Sequence, residues 1–238
     1  MAALIRKNLS LIGPPGSGKG SYGLYLAKHF DIPLVTVSDV LRQRRPEIDV
    51  ASGELVDCQV VSEALLEELH GKKGYMLDGF PRTIQQLHYM EDMWPSSMQV
   101  EAAVSLEVPD RVCETKTLGR RLCRKCGGNY NCNEVNFDGW HLPASLPKEC
   151  PRSDCDPSKD WRSREDDTPD VVRDRLNVHH QHMNPIVDYF ESKQSLFRYS
   201  PKHGYDDIPK MKSALERWLQ DLFERGESTM QPTGRRID

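Results

Sequence analysis

The chain reads as an α/β domain of three layers, a parallel sheet with helices on both faces, and three observations predict this. Short apolar runs at residues 9–12, 34–37, 75–77 and 102–108 alternate with segments of helical periodicity, the pattern of a buried parallel sheet with helical crossovers. The first run stops at a glycine-rich turn, Gly13-Pro14-Pro15-Gly16-Ser17-Gly18-Lys19-Gly20, which leads into a helix. At 238 residues, the chain is long enough for one large domain carrying inserts.

After the glycine turn, Tyr22, Tyr25, Leu26, His29 and Phe30 recur at the spacing of an amphipathic helix. The second and third runs, at 34–37 and 75–77, enclose a helical segment, residues 38–73, that reads as an insert. Pro109 ends the fourth run. Residues 122–167 break the alternation, since Gly, Pro, Asn, Asp and Cys dominate there and no amphipathic period persists. A structureless loop of that length is out of place in a compact domain, so the stretch reads as an inserted lid with its own fastening. Thr168-Pro169-Asp170 then starts a helix, with Thr as cap, Pro at the first helical position and Asp at the positive end of the dipole. That helix carries Val172, Leu176, His179, Met183 and Ile186, and Pro185 is expected to kink it. Met211, Leu215, Trp218, Leu219 and Leu222 mark a last helix, and a polar tail from residue 227 is expected to fray. The expected division is a core of residues 1–37, 74–121 and 168–226, the insert 38–73, the lid 122–167 and the tail 227–238.

Thirty-two basic against 36 acidic residues give a net charge of −4, which offers no bulk attraction for nucleic acid or an anionic membrane. Mean hydropathy is −0.64, and no apolar run approaches the roughly 20 residues of a membrane span. The short stretch before the first strand leaves no room for a signal or transit peptide, so the expectation is a cytoplasmic protein, or one in a mitochondrial space reached without a cleaved peptide. Seven cysteines are an odd count, and the close pairs among them read as a metal site in a reducing compartment before a disulfide framework.

Gly13, Gly18 and Lys19 satisfy G-x-x-x-x-G-K between a strand and a helix, where phosphate chemistry needs it. Gly16, Gly18 and Gly20 let successive N–H groups, with that of Ser17, turn inward on phosphate oxygens. The helix start adds positive potential, and Lys19 reaches the β and γ phosphates. The motif then wants Ser or Thr, whereas the chain has Gly20 followed by Ser21, so a hydroxyl for Mg²⁺ comes one residue late.

This Gly-Lys-Gly-Ser loop resembles that of the nucleoside monophosphate kinases, adenylate kinases in particular. Asp78-Gly79-Phe80-Pro81-Arg82-Thr83 with Gln86, then Gly119-Arg120-Arg121, Arg164 with Asp166-Asp167, and Arg173-x-Arg175-Leu176 match further segments of that family in order. The resemblance covers roughly residues 8 to 190. It implies a P-loop kinase that moves a phosphoryl group from Mg·ATP to AMP, giving two ADP, mostly by positioning and charge neutralisation. By the same resemblance, Arg42 and Arg82 would hold the acceptor phosphate, Lys19 and Arg120 the donor, and Arg164 and Arg175 would close over the transferring group. Asp78 would hold Mg²⁺ through water. Gln86 would read the acceptor base, with Val37, Leu55, Val56 and Gly79 lining its pocket, and Lys116, Asn129 and Tyr130 would lie near the donor nucleotide. A monomer is expected.

Two departures bear on substrate choice. The family's Ser-Thr-Gly-Asp is Thr36-Val37-Ser38-Asp39 here, so a hydroxyl near the acceptor base is lost, and UMP, CMP or GMP stand as alternatives to AMP. Lys116 occupies the place of an arginine that stacks on the donor base, which a lysine cannot reproduce. A third departure, Tyr22-Gly23 on the first helix, has no explanation in the sequence. A nucleotide-binding regulator without turnover is the rival of a different class, and retention of Lys19, Asp78, Arg82, Arg120 and Arg175 argues against it.

Cys123-x2-Cys126 and Cys150-x4-Cys155 frame the lid, and four thiolates on Zn²⁺ would fasten a segment too polar to fold alone. The opening C-R-K-C-G resembles the zinc-type lids of some adenylate kinases. Cys132, His141 or Asp154 could substitute for one ligand. Cys58 and Cys113 read as small core residues, and the pair His179-His180 as ordinary helix positions facing different ways.

Overall fold

The computed structural model describes residues 7–49, 55–144 and 155–229. Its centre is a five-stranded parallel sheet made of β1 (Asn8–Ile12), β2 (Leu34–Thr36), β3 (Tyr75–Asp78), β4 (Ala102–Leu106) and β10 (Leu196–Tyr199). The order across the sheet is β10-β4-β1-β3-β2. Leu9 pairs with Met76 on one side of β1 and with Ala102 on the other, so all the strand ends that carry functional residues open on the same edge. Ligands bind outside that carboxyl edge in open α/β sheets.

Alternation along the strands feeds two cores. Leu9 and Leu11 pack with Tyr22, Leu26 and Phe30 of α1 (Lys19–Phe30) and with Met211, Leu215 and Leu219 of α8 (Ile208–Thr229). On the opposite face Ile12, Val35 and Leu77 meet α2 (Val37–Arg44), α3 (Cys58–Leu69), α4 (Ile84–Met93) and α7 (Pro169–Ser192). Gly23 is now explained: a Cβ there would lie 2.9 Å from Leu34 Cδ1 and 3.0 Å from Leu11 Cδ2, so its absence lets α1 lie close on the sheet. Tyr22 is buried below the phosphate loop, its ring 2.9 Å from where a Gly18 Cβ would sit.

Several boundaries differ from expectation. Val37 begins α2 instead of ending β2. The fourth strand stops at Leu106, and β10 is a strand that sequence reading missed. The helix α7 is capped by Thr168, which accepts from the Val171 N–H at 3.5 Å, and continues through Pro185 to Ser192. The last helix starts three residues before Met211 and runs past 227 to Thr229, while residues 230–238 lie outside the described residues.

The segment read as an inserted lid contains short antiparallel strands. β5 (Arg120–Cys123) pairs with β6 (Asn129–Asn131) and β9 (Trp161–Arg162). β7 (Val135–Phe137) and β8 (Trp140–Leu142) form a hairpin closed by Asp138 and Gly139, both with positive φ, as a tight two-residue turn requires. Val135, Trp140 and Leu142 pack on Val112 of α5 (Asp110–Leu118). A four-residue helix, α6 (Pro157–Asp160), precedes β9.

Candidate active site

The phosphate loop is braced from outside. Gly16 has φ +87°, and a Cβ there would lie 2.4 Å from the Cys113 carbonyl oxygen and 2.4 Å from Thr117 Oγ1. The loop therefore rests on α5 with no space for a side chain. Gly16→Ala adds backbone strain to that collision and is expected to weaken binding of a non-hydrolysable ATP analogue at least about tenfold; titration against the wild-type protein checks it, and unchanged affinity would refute the bracing. Ser17 Oγ is buried with no hydrogen-bond partner among the described residues, so it is free to bond an oxygen brought to the loop. Lys19 Nζ donates to the carbonyls of Gly13 (2.6 Å) and Pro14 (2.9 Å). Burial, reinforced by the charges of Arg82 and Arg120 and opposed by Asp78, lowers its pKa.

Asp78 ends β3, beside the loop. Burial raises its pKa, against the pull of Lys19 and Arg82. A Cβ at Gly20 would lie 3.6 Å from Asp78 Oδ2, so Gly20 is the loop residue facing that carboxylate. The Ser21 hydroxyl, expected to serve Mg²⁺, accepts from Tyr205 Oη at 3.5 Å, which leaves it a second lone pair. Arg82 is held by its own turn: Nε donates to the Gly79 carbonyl at 3.1 Å, and its backbone N–H donates to Gln86 Oε1 at 2.7 Å. Thr83 caps α4 by accepting from the Gln86 N–H, which fixes Gln86 at the buried start of the helix.

Across the cleft, Val37 is buried in the core with Val40 and Leu41, so its side chain is apolar packing. Arg42 projects from the next turn of α2 and pairs with Asp39 at 2.7 Å. Leu55 and Val56 form the wall before α3.

Two consecutive aspartates organise the remaining arginines. Arg120 Nε donates to Asp167 Oδ2 at 2.8 Å, and a second bond to Oδ1 makes the pair bidentate. Arg175 pairs with Asp166 at 2.7 Å. Arg164 stands exposed at the rim. Lys116 donates to the carbonyls of Asn133 (3.2 Å) and Pro143 (3.3 Å), tying the β7–β8 hairpin down, and burial lowers its pKa to about 8.

The residues expected at the nucleotide site line one cleft of about 520 Å³: Gly13, Gly16, Ser17, Gly18, Lys19, Gly20 and Ser21, Lys116, Arg120, Asn129 and Tyr130, and Val37, Arg42, Leu55, Val56, Asp78, Gly79, Arg82, Gln86, Arg164 and Arg175. Sequence reading missed Trp140, Leu142, Pro201, Tyr205 and His179, which line it too. The Asp138-Gly139 turn was a usable signal for Trp140, since Asp-Gly between apolar residues marks a hairpin.

The thiol sulfurs of Cys123, Cys126 and Cys155 all lie within 4.8 Å of one another, with Cys123 and Cys155 3.6 Å apart. Sulfurs held at about 2.3 Å around a tetrahedral Zn²⁺ lie about 3.8 Å apart, so the donor set fits that ion. The Gly128 N–H donates to Cys126 Sγ at 3.3 Å, and Tyr130 Oη lies 3.5 Å from the same sulfur. Tyr130 stacks on Trp161 at 4.9 Å. Cys150 and Asp154 lie outside the described residues. Cys132 is exposed and His141 stacks on His203, and neither belongs to the cluster among the described residues. Cys113 is a core residue whose thiol is pushed up to about 12 by burial, and Cys58 is half-buried at the start of α3.

The family model for adenylate kinase matches residues 11–195, which takes in the phosphate loop, the Asp78–Arg82 turn and both arginine–aspartate pairs. The chain belongs to the adenylate kinase family. Among curated relatives, an adenylate kinase of Staphylococcus epidermidis is 33% identical over 215 residues, covering 84% of this chain and 94% of the relative. One from Staphylococcus aureus is 32% identical over 217 residues, covering 85% and 95%. A probable adenylate kinase 6, chloroplastic, of Oryza sativa subsp. japonica is 29% identical over 227 residues, covering 86% and 75%. Among the described residues of this adenylate kinase, no helix is long and apolar enough to cross a membrane.

Proposed function

We propose that this cleft performs reversible phosphoryl transfer from Mg·ATP to AMP, and that the residues gathered in it divide the work as follows. The observation that carries this reading is the convergence of Lys19, Asp78, Arg82, Arg120 and Arg175 on one cleft at the carboxyl edge of the sheet. Two polyanions must be brought together there, so neutralising and aligning them is most of the catalysis. Backbone N–H groups of residues 16–20 and Lys19 hold the donor phosphates, and Arg120 holds the same chain from β5. Arg42 and Arg82 hold the AMP phosphate, Gln86 contacts the acceptor base, and Leu55, Val56 and Gly79 shape its pocket. An oxygen of the AMP phosphate attacks the terminal phosphorus of ATP; one P–O bond forms, the bond to the bridging oxygen breaks, and ADP is left on both sides. Arg164 and Arg175 carry the charge that spreads over the transferring group. Mg²⁺, held near Asp78, would neutralise the donor phosphates.

Residues 38–73 and 122–167 close over the substrates and exclude water, which would otherwise act as acceptor. Zn²⁺ held by Cys123, Cys126, Cys155 and Cys150 would cross-link the second of these segments. A monomer in the cytoplasm is our reading of the assembly and compartment.

The test is ADP formation from Mg·ATP with AMP, UMP, CMP and GMP offered separately. AMP is expected to give rapid turnover, and ATP alone slow hydrolysis at least about a hundredfold below it. Equal rates with and without a monophosphate would refute the reading. The buried apolar side chain of Val37 favours one second reading, a broadened acceptor range, which would appear as comparable rates with another base.

A further inference from the structure

Helix α7 presents one face to the cleft, and the site residues discussed so far use only part of it. Val172, Arg175, His179 and Met183 recur at spacings of three and four along that face, and all four line the cleft. His180, the next residue, turns away and pairs with Asp110 at 2.9 Å. His179 is half-buried and touches His180 edge-on at 5.5 Å, and neither of its ring nitrogens has a hydrogen-bond partner among the described residues. It also borders a second opening behind the phosphate loop, shared with Gly13 and Pro14. An imidazole with two unused polar atoms therefore faces the place where the phosphate loop binds.

The groups around it are predominantly cationic. Lys19 faces it from α1, Arg82 from the turn after β3 and Arg175 and His180 from its own helix, while Asp110 on α5 is the acidic neighbour. Arg198, Lys202 and Glu107 lie around the outer opening. Burial first, then the charges of Lys19 and His180, lower the pKa of His179 to about 4, so the ring is neutral near pH 7. A neutral imidazole has one N–H to donate. It can supply a hydrogen bond to an oxyanion without adding another positive charge to a region where burial and neighbouring cations already lower the pKa of Lys19 and Arg82.

We propose that His179 contacts the substrate directly, donating a ring N–H to an oxygen of the donor's phosphate chain between Lys19 and Arg175. The proposal rests on the reading of the cleft given above. Its place beside Gly13 and Lys19, on a second opening that Leu55 and Val56 do not border, assigns it to the donor rather than to AMP.

The test compares His179→Phe and His179→Gln with the wild-type protein in titrations with a non-hydrolysable ATP analogue and, separately, with AMP. Loss of a hydrogen bond to a charged group corresponds to about a tenfold weakening. His179→Phe is expected to weaken the analogue by about that factor and AMP by less than about twofold, while His179→Gln, which keeps an N–H donor, stays within about threefold. Unchanged affinity in His179→Phe, equal losses for analogue and AMP, or a His179→Gln defect as large as that of His179→Phe would each overturn the proposal. If the wild-type protein binds no ATP analogue, the reading of the cleft fails instead. The wild-type protein labelled with ¹⁵N-histidine gives a measurement independent of the phenylalanine variant's folding: the signal missing from His179→Gln is expected to move with the analogue and stay with AMP, and a signal unmoved by the analogue overturns the proposal.

Discussion

Lys19→Ala is expected to lower turnover by about three orders of magnitude while leaving thermal stability within a few degrees of wild type. The rate loss follows from its place: its ammonium is the cation of the glycine loop itself, which on the proposed reading meets the donor phosphates, and removing one such preorganised charge costs about 10²- to 10³-fold or more. The stability follows from the direction of its pKa. Burial and the charges of Arg82 and Arg120 disfavour the charged lysine in the folded protein, so folding holds it there at a cost that the two loop carbonyls only partly offset. Removing it relieves that repulsion and loses those two bonds, effects of opposite sign. Steady-state rates with saturating AMP, together with a thermal melt, check both halves. Turnover within tenfold of wild type would remove Lys19 from the chemistry.

Cys126→Ser is expected to do the reverse, costing stability first and chemistry second. Its sulfur belongs to the three-thiol cluster and accepts from the Gly128 N–H, in a segment whose strands are two to four residues long. Such a segment buries too little apolar surface to hold itself, and a structural metal supplies folding energy directly. The purified wild-type chain is expected to carry about one zinc, and the serine variant little. The melting temperature should fall by about 5–10 °C, the shift that a loss of roughly 2–3 kcal/mol produces in a chain of this size. Turnover at low temperature should fall far less, because none of the side chains proposed to bind phosphate is a cysteine. Zinc analysis of both proteins with paired melts decides it; a wild-type chain without zinc and an unchanged melt would refute the metal assignment.

How far the structure could be read beforehand varied with how local each determinant is. The strand, glycine turn and helix at residues 8–30 were legible because a buried parallel strand, a phosphate loop and an amphipathic helix each leave a signature within a few residues of chain. The Thr168 cap was legible for the same reason. The strand β10 was not, since it is four residues long with Arg198 among its apolar residues, and only its pairing with β4 identifies it. Lys116 was read for its missing planarity toward a base, whereas its ammonium ties the hairpin through carbonyls 17 and 27 residues away, a role that no local pattern encodes. The two histidines were rightly read as facing different ways, but the spacing of four from Arg175 already placed His179 on the cleft face. Residues 166 and 167 were noted only for their family order, and their choice of arginine partners depends on two segments meeting in space.

Those two aspartates have a consequence for the end of each cycle. Arg120 and Arg175 are paired in the structure with Asp167 and Asp166. A phosphate that recruits either arginine therefore swaps one oxyanion for another, and the net gain in affinity is only the difference between the two bonds. The same arrangement gives each guanidinium a carboxylate to return to as ADP departs. On the proposed reading, product can leave without stranding an uncompensated cation in a partly buried place, and the clasp that would hold substrates for transfer also lets them go.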